Sequence, residues 1–147
     1  MMAIGRKMGA ALLLDYQSRF NFGSRTGIDL PNESSGAIYT LDQMKDMELA
    51  STTFGQGFTS TMIQEISAVS AVINGGTYYQ PHVVKEIKSQ EDGSVLKTNE
   101  GNVLKQIVSS DVSEKIREYM GMSVTSGTSR KSKVQGYSMV KQEPQKS

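Results

Sequence analysis

Residues 62–76, M-I-Q-E-I-S-A-V-S-A-V-I-N-G-G, constrain this chain more than any other stretch. Met62, Ile66, Val69 and Ile73 recur at spacings of four, three and four, which places them on one stripe of a helix. Thr59, Ser60 or Thr61 can cap its start. Asn74-Gly75-Gly76 ends it, because Asn and Gly tolerate the left-handed backbone that closes a helix. A helix with one apolar stripe must lay it against another element, so all four stripe residues are expected in a core.

The remaining elements arrange themselves around this helix. Ile4, Met8, Leu12, Tyr16 and Phe20 repeat at helical spacing and predict a first helix to about Arg19, weakened by Gly5 and Gly9 and stopped near Asn21 and Gly23. Residues 25–31 read as a short extended stretch entering a turn, and 32–36 as a loop. A second helix is expected over 41–50, with Leu41, Met44 and Leu49 inward. F-G-Q-G at 54–57 marks a sharp turn. Residues 78–87 have extended character, E-D-G-S at 91–94 predicts a hairpin turn, and Val95-Leu96 begin the return strand. A last helix opens at Asp111 in a capping-box arrangement with Glu114 and buries Val112, Ile116 and Tyr119 or Met120. Residues 123–133 are expected as a loop and 135–139 as the start of another strand. The pattern predicts a mixed α/β (α+β) chain of one domain or part of one.

Composition narrows the chemistry. The 147 residues carry a formal net charge of +1, so no electrostatic footprint points to nucleic acid or an anionic membrane surface. Cysteine is absent, which removes disulfides and thiolate metal sites, and His82 is the one histidine, which removes a site of several imidazoles. No run approaches the roughly 18 apolar residues of a membrane span, and no basic-then-apolar leader opens the chain. The first helix starts without a preceding cap, and the polar segment 141–147 offers nothing to pack. The expectation is a chain that begins inside a longer protein and ends on an appended tail.

Four segments in order then become informative together: F-N-F-G-S-R-T-G-I-D-L-P-N-E-S-S-G (20–36), F-G-Q-G-F-T-S-T-M-I-Q (54–64), A-V-S-A-V-I-N-G-G-T-Y-Y-Q-P-H-V-V-K-E-I (68–87) and V-T-S-G-T-S-R-K-S-K-V-Q-G-Y-S-M (124–139). The chain resembles the transpeptidase domain of class B penicillin-binding proteins. The resemblance implies part of the serine penicillin-binding transpeptidase and β-lactamase-like fold, an antiparallel sheet with flanking helices. It also implies D,D-transpeptidation, in which a serine is acylated by a D-alanyl-D-alanine stem peptide and the acyl group passes to a neighbouring amine.

That chemistry needs S-x-x-K, S-x-N and K-T-G, since a serine hydroxyl is a poor nucleophile without an adjacent base. S-x-N is absent here. S-x-x-K spacing occurs at Ser94–Lys97, in the predicted hairpin turn, and at Ser138–Lys141, too late in the chain. Lys97-Thr98-Asn99 lacks the glycine of K-T-G. The resemblance places S-x-x-K and S-x-N ahead of Met1, so truncation is the expected reason for their absence. Codons for Val140-Lys141-Gln142-Glu143-Pro144-Gln145, read one base earlier behind a G, can spell Gly-Lys-Thr-Gly-Thr-Ala. The tail is therefore expected to be a frameshifted K-T-G-T-A.

Other candidates carry blander expectations. Gly55 and Gly57 permit a turn rather than shape a substrate groove, and His82 is structural or exposed. Asp29 and Glu33 are solvated, and Arg130, Lys131 and Lys133 form a solvated loop. No residue of this chain is assigned a catalytic, cofactor-binding or metal role. The reading is a partial transpeptidase domain over 1–139 with an aberrant tail at 140–147, inactive alone and prone to aggregate. No cofactor, metal or nucleic acid is implied. For the intact parent, the partners implied are peptidoglycan stem peptides, β-lactams and cell-division or sporulation proteins, on a membrane-anchored domain outside the cytoplasmic membrane. The alternative is a non-catalytic binding or structural module of the division or sporulation machinery.

Overall fold

The computed structural model describes residues 1–127, and the expected strand at 135–139, the cluster Arg130, Lys131 and Lys133, the Ser138–Lys141 pair and the tail lie outside them. The elements in chain order are α1 (Met2–Met8), α2 (Ala10–Arg19), α3 (Asp46–Thr52), α4 (Met62–Ile73), β1 (Thr77–Gln80), β2 (Glu86–Lys88), β3 (Val95–Thr98), β4 (Asn102–Gln106) and α5 (Ser110–Thr125). The α+β class expected from the sequence is the one observed. The strands form nested antiparallel pairs, β1 with β4 and β2 with β3, so residues 77–106 make a long two-stranded ribbon in two sections.

Several local expectations are corrected. The first helix is two helices, because Gly9 takes φ 84° and ψ 160° and breaks the hydrogen-bond ladder. The second begins at Asp46 rather than Leu41. Thr40 forms its own turn first, its carbonyl accepting from the Gln43 and Met44 N–H groups, and extended Lys45 then restarts the chain. Met44 and Leu49 are buried as expected, while Leu41 is 60% exposed. The last helix is capped by Ser109, whose hydroxyl accepts from the Val112 N–H, not by an Asp111–Glu114 box. It runs through Thr125, so 123–125 are helical rather than loop. Its Val112 and Tyr119 are exposed, Ile116 and Met120 half-buried, and Ser113 is the residue that disappears from solvent. β4 was not anticipated.

α4 has the expected bounds and the reverse of the expected orientation. Met62, Ile66 and Val69 are 80%, 58% and 52% exposed and Ile73 is half-buried. The buried face carries Gln64, Ser67, Ala68 and Ala71. Small side chains let α4 lie close on β1, where Ala71, Tyr78 and Ile107 form a compact core flanked by Phe20 and Val108. Around the stripe's far end opens an apolar cleft of about 300 Å³, lined by Phe20, Phe22, Ala68, Val69, Val72, Ile73 and Met120.

The N-G-G turn after α4 is knotted into the ribbon. Asn74 exchanges hydrogen bonds with Thr77 through its side-chain amide (2.8 and 3.0 Å). Gly75 N–H donates to the buried Ser113 Oγ at 3.0 Å, and the Ile107 N–H donates to the Gly76 carbonyl at 2.8 Å. Gln106 Nε2 reaches both Gly75 O and Val108 O. What looks like punctuation in the sequence therefore joins α4, β1, β4 and α5.

Candidate functional site

Three of the four recognisable segments, 20–36, 54–64 and 68–87, converge on one junction, and their side chains there hold backbone. Thr61 caps α4 in a full capping box: its hydroxyl accepts from Gln64 N–H (3.3 Å) while Gln64 Oε1 accepts from Thr61 N–H (2.8 Å). Gln64 is fully buried, and its Nε2 donates to the carbonyls of Ser24 (2.7 Å), Ser35 (2.8 Å) and Asn21 (3.2 Å). One amide thus ties the start of α4 to both ends of the T-G-I-D-L-P segment. A bridge between Ala37 and Thr59 closes the same region.

Two carboxylates finish the lacing, and neither is merely solvated. The Glu33 Oε1 accepts from the Thr26 N–H and hydroxyl, both at 2.6 Å, and Oε2 from the Gly27 N–H at 3.0 Å. Burial raises the Glu33 pKa. The Thr26 and Gly27 hydrogen bonds and the Arg25 charge outweigh it and hold the carboxyl below its ordinary 4.5. Asp29 accepts from the Val83 and Val84 N–H groups at 2.7 and 2.9 Å, fastening T-G-I-D-L-P to P-H-V-V. Those two bonds hold its pKa below the ordinary 3.8. The sequence pointed to no such role for Asp29, because backbone partners more than 50 residues away leave no local signal.

Both carboxyls have depressed folded-state pKa values, so their stabilisation is present above the unfolded values and is lost as pH falls through the folded ones. We expect unfolding midpoints in urea to drop as pH is lowered below about 4.5. The Glu33→Gln variant should be less stable than wild type at pH 7, and its midpoint should vary less with pH across the acid range. An equally steep acid transition in the variant would assign the effect elsewhere.

The candidates for chemistry fall apart spatially. Ser94 Oγ donates to Asp92 Oδ1 at 2.7 Å within the hairpin turn, and Lys97 lies on exposed β3. This spacing therefore belongs to a turn and a strand, with no helical turn bringing hydroxyl and amine together. Lys97-Thr98-Asn99 follows the same exposed strand. His82 is exposed. Gly55 and Gly57 take φ 88° and 82° in an exposed turn. Beside Gly57 a groove of about 430 Å³ is lined by Ala37, Ile38, Tyr39, Gln43, Phe58 and Thr59. Burial lowers the Lys105 pKa; its Nζ donates to Ser18 O at 3.2 Å and lies 5.6 Å from the Tyr78 ring centre. Its donor is thereby directed at a helix end, as a tie between β4 and α2. Among the described residues no helix is long and apolar enough to cross a membrane.

Comparison with known proteins agrees with this geometry. Residues 1–140 match the profile of the penicillin binding protein transpeptidase domain. The chain is 38% identical to Stage V sporulation protein D of Bacillus subtilis, across 91% of this chain and 21% of that protein. It is 30% identical to the peptidoglycan D,D-transpeptidase MrdA of Acinetobacter baumannii, across 86% and 20% respectively. The chain thus spans about a fifth of the length of these relatives. Among solved structures, penicillin binding protein 3 of Mycobacterium tuberculosis in its apo form superposes with a TM-score of 0.81 at 26% identity, covering 92% of this chain and 32% of that one. The same protein complexed with aztreonam superposes at 0.76 and 25% identity, covering 87% and 28%.

Proposed function

Because this chain belongs to the penicillin-binding protein transpeptidase domain family, we propose that it is the scaffolding part of a peptidoglycan D,D-transpeptidase acting in cell-wall cross-linking. The observation that carries the reading is the junction itself. Gln64, Glu33 and Asp29, drawn from the family-like segments, spend their polar atoms on backbone, while Ser94 and Lys97 are not arranged as nucleophile and base. In this reading the nucleophilic serine, its lysine and the remaining wall of the peptide groove come from outside residues 1–127. The exposed stripe Met62, Ile66 and Val69 is the face on which that remainder seats. Residues 1–139 are the transpeptidase part and 140–147 a tail of different, frameshifted origin, a division supported by the family match ending at residue 140. The substrates of the whole enzyme are D-alanyl-D-alanine stem peptides, with β-lactams as acylating mimics. The whole enzyme works outside the cytoplasmic membrane on a membrane anchor, alongside division or sporulation proteins.

Two labelling experiments with a fluorescent penicillin test this. The 147-residue chain alone should take up no covalent label, since an ester cannot form without an activated serine. A chimera of the B. subtilis sporulation protein, with its matching segment replaced by residues 1–139 and its own K-T-G strand retained, should keep most of its labelling. Stoichiometric labelling of the lone chain, or a folded chimera that no longer labels, would overturn the proposal.

A further inference from the structure

We propose that the outer edge of β2 is a self-pairing edge, which joins antiparallel to the same edge of a second copy of this chain about a two-fold axis at Ile87. The ribbon section formed by β2 and β3 carries no residue buried from solvent, and among the described residues each strand pairs on one side only. The two free edges are not equivalent. The register shift between Ile87 and Lys88 sets Val95 and Leu96 against Lys88, a bulge on β3 that bends its edge away from a further strand. β2 remains regular.

Hydrogen-bond phase fixes which groups β2 offers. Asn99 N–H donates to Lys85 O, and Ser89 N–H donates to Ser94 O. Residues 85, 87 and 89 therefore direct their amides toward β3, and alternation leaves the N–H and C=O of Glu86 and Lys88 facing outward. Two antiparallel copies centred on Ile87 put Glu86 of one opposite Lys88 of the other, twice. Each such pair can exchange both backbone hydrogen bonds, so four bonds form across the axis. The sequence Glu-Ile-Lys is its own charge complement in this arrangement, and Glu86 and Lys88 already share one face with a 3.0 Å ion pair. Ile87, 48% exposed, meets Ile87 of the second copy in the closely spaced, non-hydrogen-bonded position. The result is a four-stranded sheet in the order β3-β2-β2-β3. Its contact area is small, so association belongs to the weak class and rises with concentration.

The chain has no cysteine, which makes a thiol trap clean. Ile87→Cys places two thiols across the axis at a separation suited to a disulfide. Val69→Cys, on the exposed stripe of α4 at 52% exposure, serves as the comparison. Under mild oxidation, with rates normalised to each thiol's reaction with a neutral small disulfide, Ile87→Cys should form covalent dimer about tenfold faster than Val69→Cys. Adding Lys88→Glu, which sets like charges opposite each other, should remove that advantage. Adding Glu86→Lys as well restores a self-complementary order and should restore the rate. Equal normalised rates for the two cysteine variants, or no response to the charge reversals, would overturn the proposal.

Discussion

Gln64→Ala should unfold this chain or bring it to the edge of unfolding. The Gln64 side chain has two amide protons and one acceptor, all directed at part-buried backbone while the side chain itself is fully buried. Truncation leaves the carbonyls of Asn21, Ser24 and Ser35 short of a donor and the Thr61 N–H short of its capping acceptor. Each buried group left unpaired costs about 1–3 kcal/mol, and partial access of water reduces the sum, so about 3–5 kcal/mol is expected. A small domain holds about 5–15 kcal/mol in total, and with three stripe residues of α4 in solvent this chain is expected at the low end. Urea titration followed by far-UV circular dichroism measures the loss. Gln64→Glu should be no better, because it keeps the acceptor for Thr61 but directs a carboxylate at three carbonyls. A midpoint unchanged in either variant would remove Gln64 from the centre of the fold.

Gly76→Ala should be nearly as damaging, for a different reason. Gly76 adopts φ 95°, where an L residue is strained by about 1–2 kcal/mol. A Cβ there would also lie 1.9 Å from the Val108 carbonyl oxygen and 2.8 Å from its carbon, both backbone atoms that cannot swing aside. The expected loss is about 3 kcal/mol or more. Gly75 provides the internal control: its φ is 100°, yet nothing lies within 4 Å of its Cβ direction. Gly75→Ala should then cost only the backbone strain of about 1–2 kcal/mol. Equal losses in the two variants would mean that the approach of Val108 carries no energetic weight.

These two sites also mark where sequence and structure part. The bounds of α4, its cap among Thr59, Ser60 and Thr61, and the hairpin turn at 91–94 were legible because each is local: a hydroxyl before a periodic run, N-G-G after it, D-G between extended stretches. Burial of the α4 stripe was not. Periodicity reports that Met62, Ile66, Val69 and Ile73 share a face, but not which neighbour lies beneath it. In this chain the helix turns its Gln64, Ser67, Ala68 and Ala71 face to β1 and the T-G-I-D-L-P loop. A window of twelve residues carries no information about what packs on either face. Asp29 and Glu33 failed for a related reason. Acidic residues in a turn usually face water, and only the folded path brings the Val83 and Val84 amides to one of them. Ser113 likewise gave no signal, since a serine inside a helix that receives a distant glycine amide reads as any exposed serine. The absence of S-x-N is a property of the sequence itself, and of the two S-x-x-K spacings the described one, Ser94–Lys97, falls in a turn and a strand as expected.

The Asp29 link to Val83 and Val84 has a kinetic consequence. It closes a loop of more than fifty residues with two hydrogen bonds to one exposed carboxylate. The entropy of closing so long a loop must be met before those bonds form, while α4 and the hairpin at 91–94 assemble from near neighbours. The same two bonds, held by an exposed carboxylate, are expected to open before the core beneath Tyr78 does. In hydrogen exchange the Val83 and Val84 amides should therefore exchange through local opening, well before the buried Ile107 amide does. Their protection should vanish in Asp29→Ala, which removes both acceptor oxygens, while that of Ile107 persists.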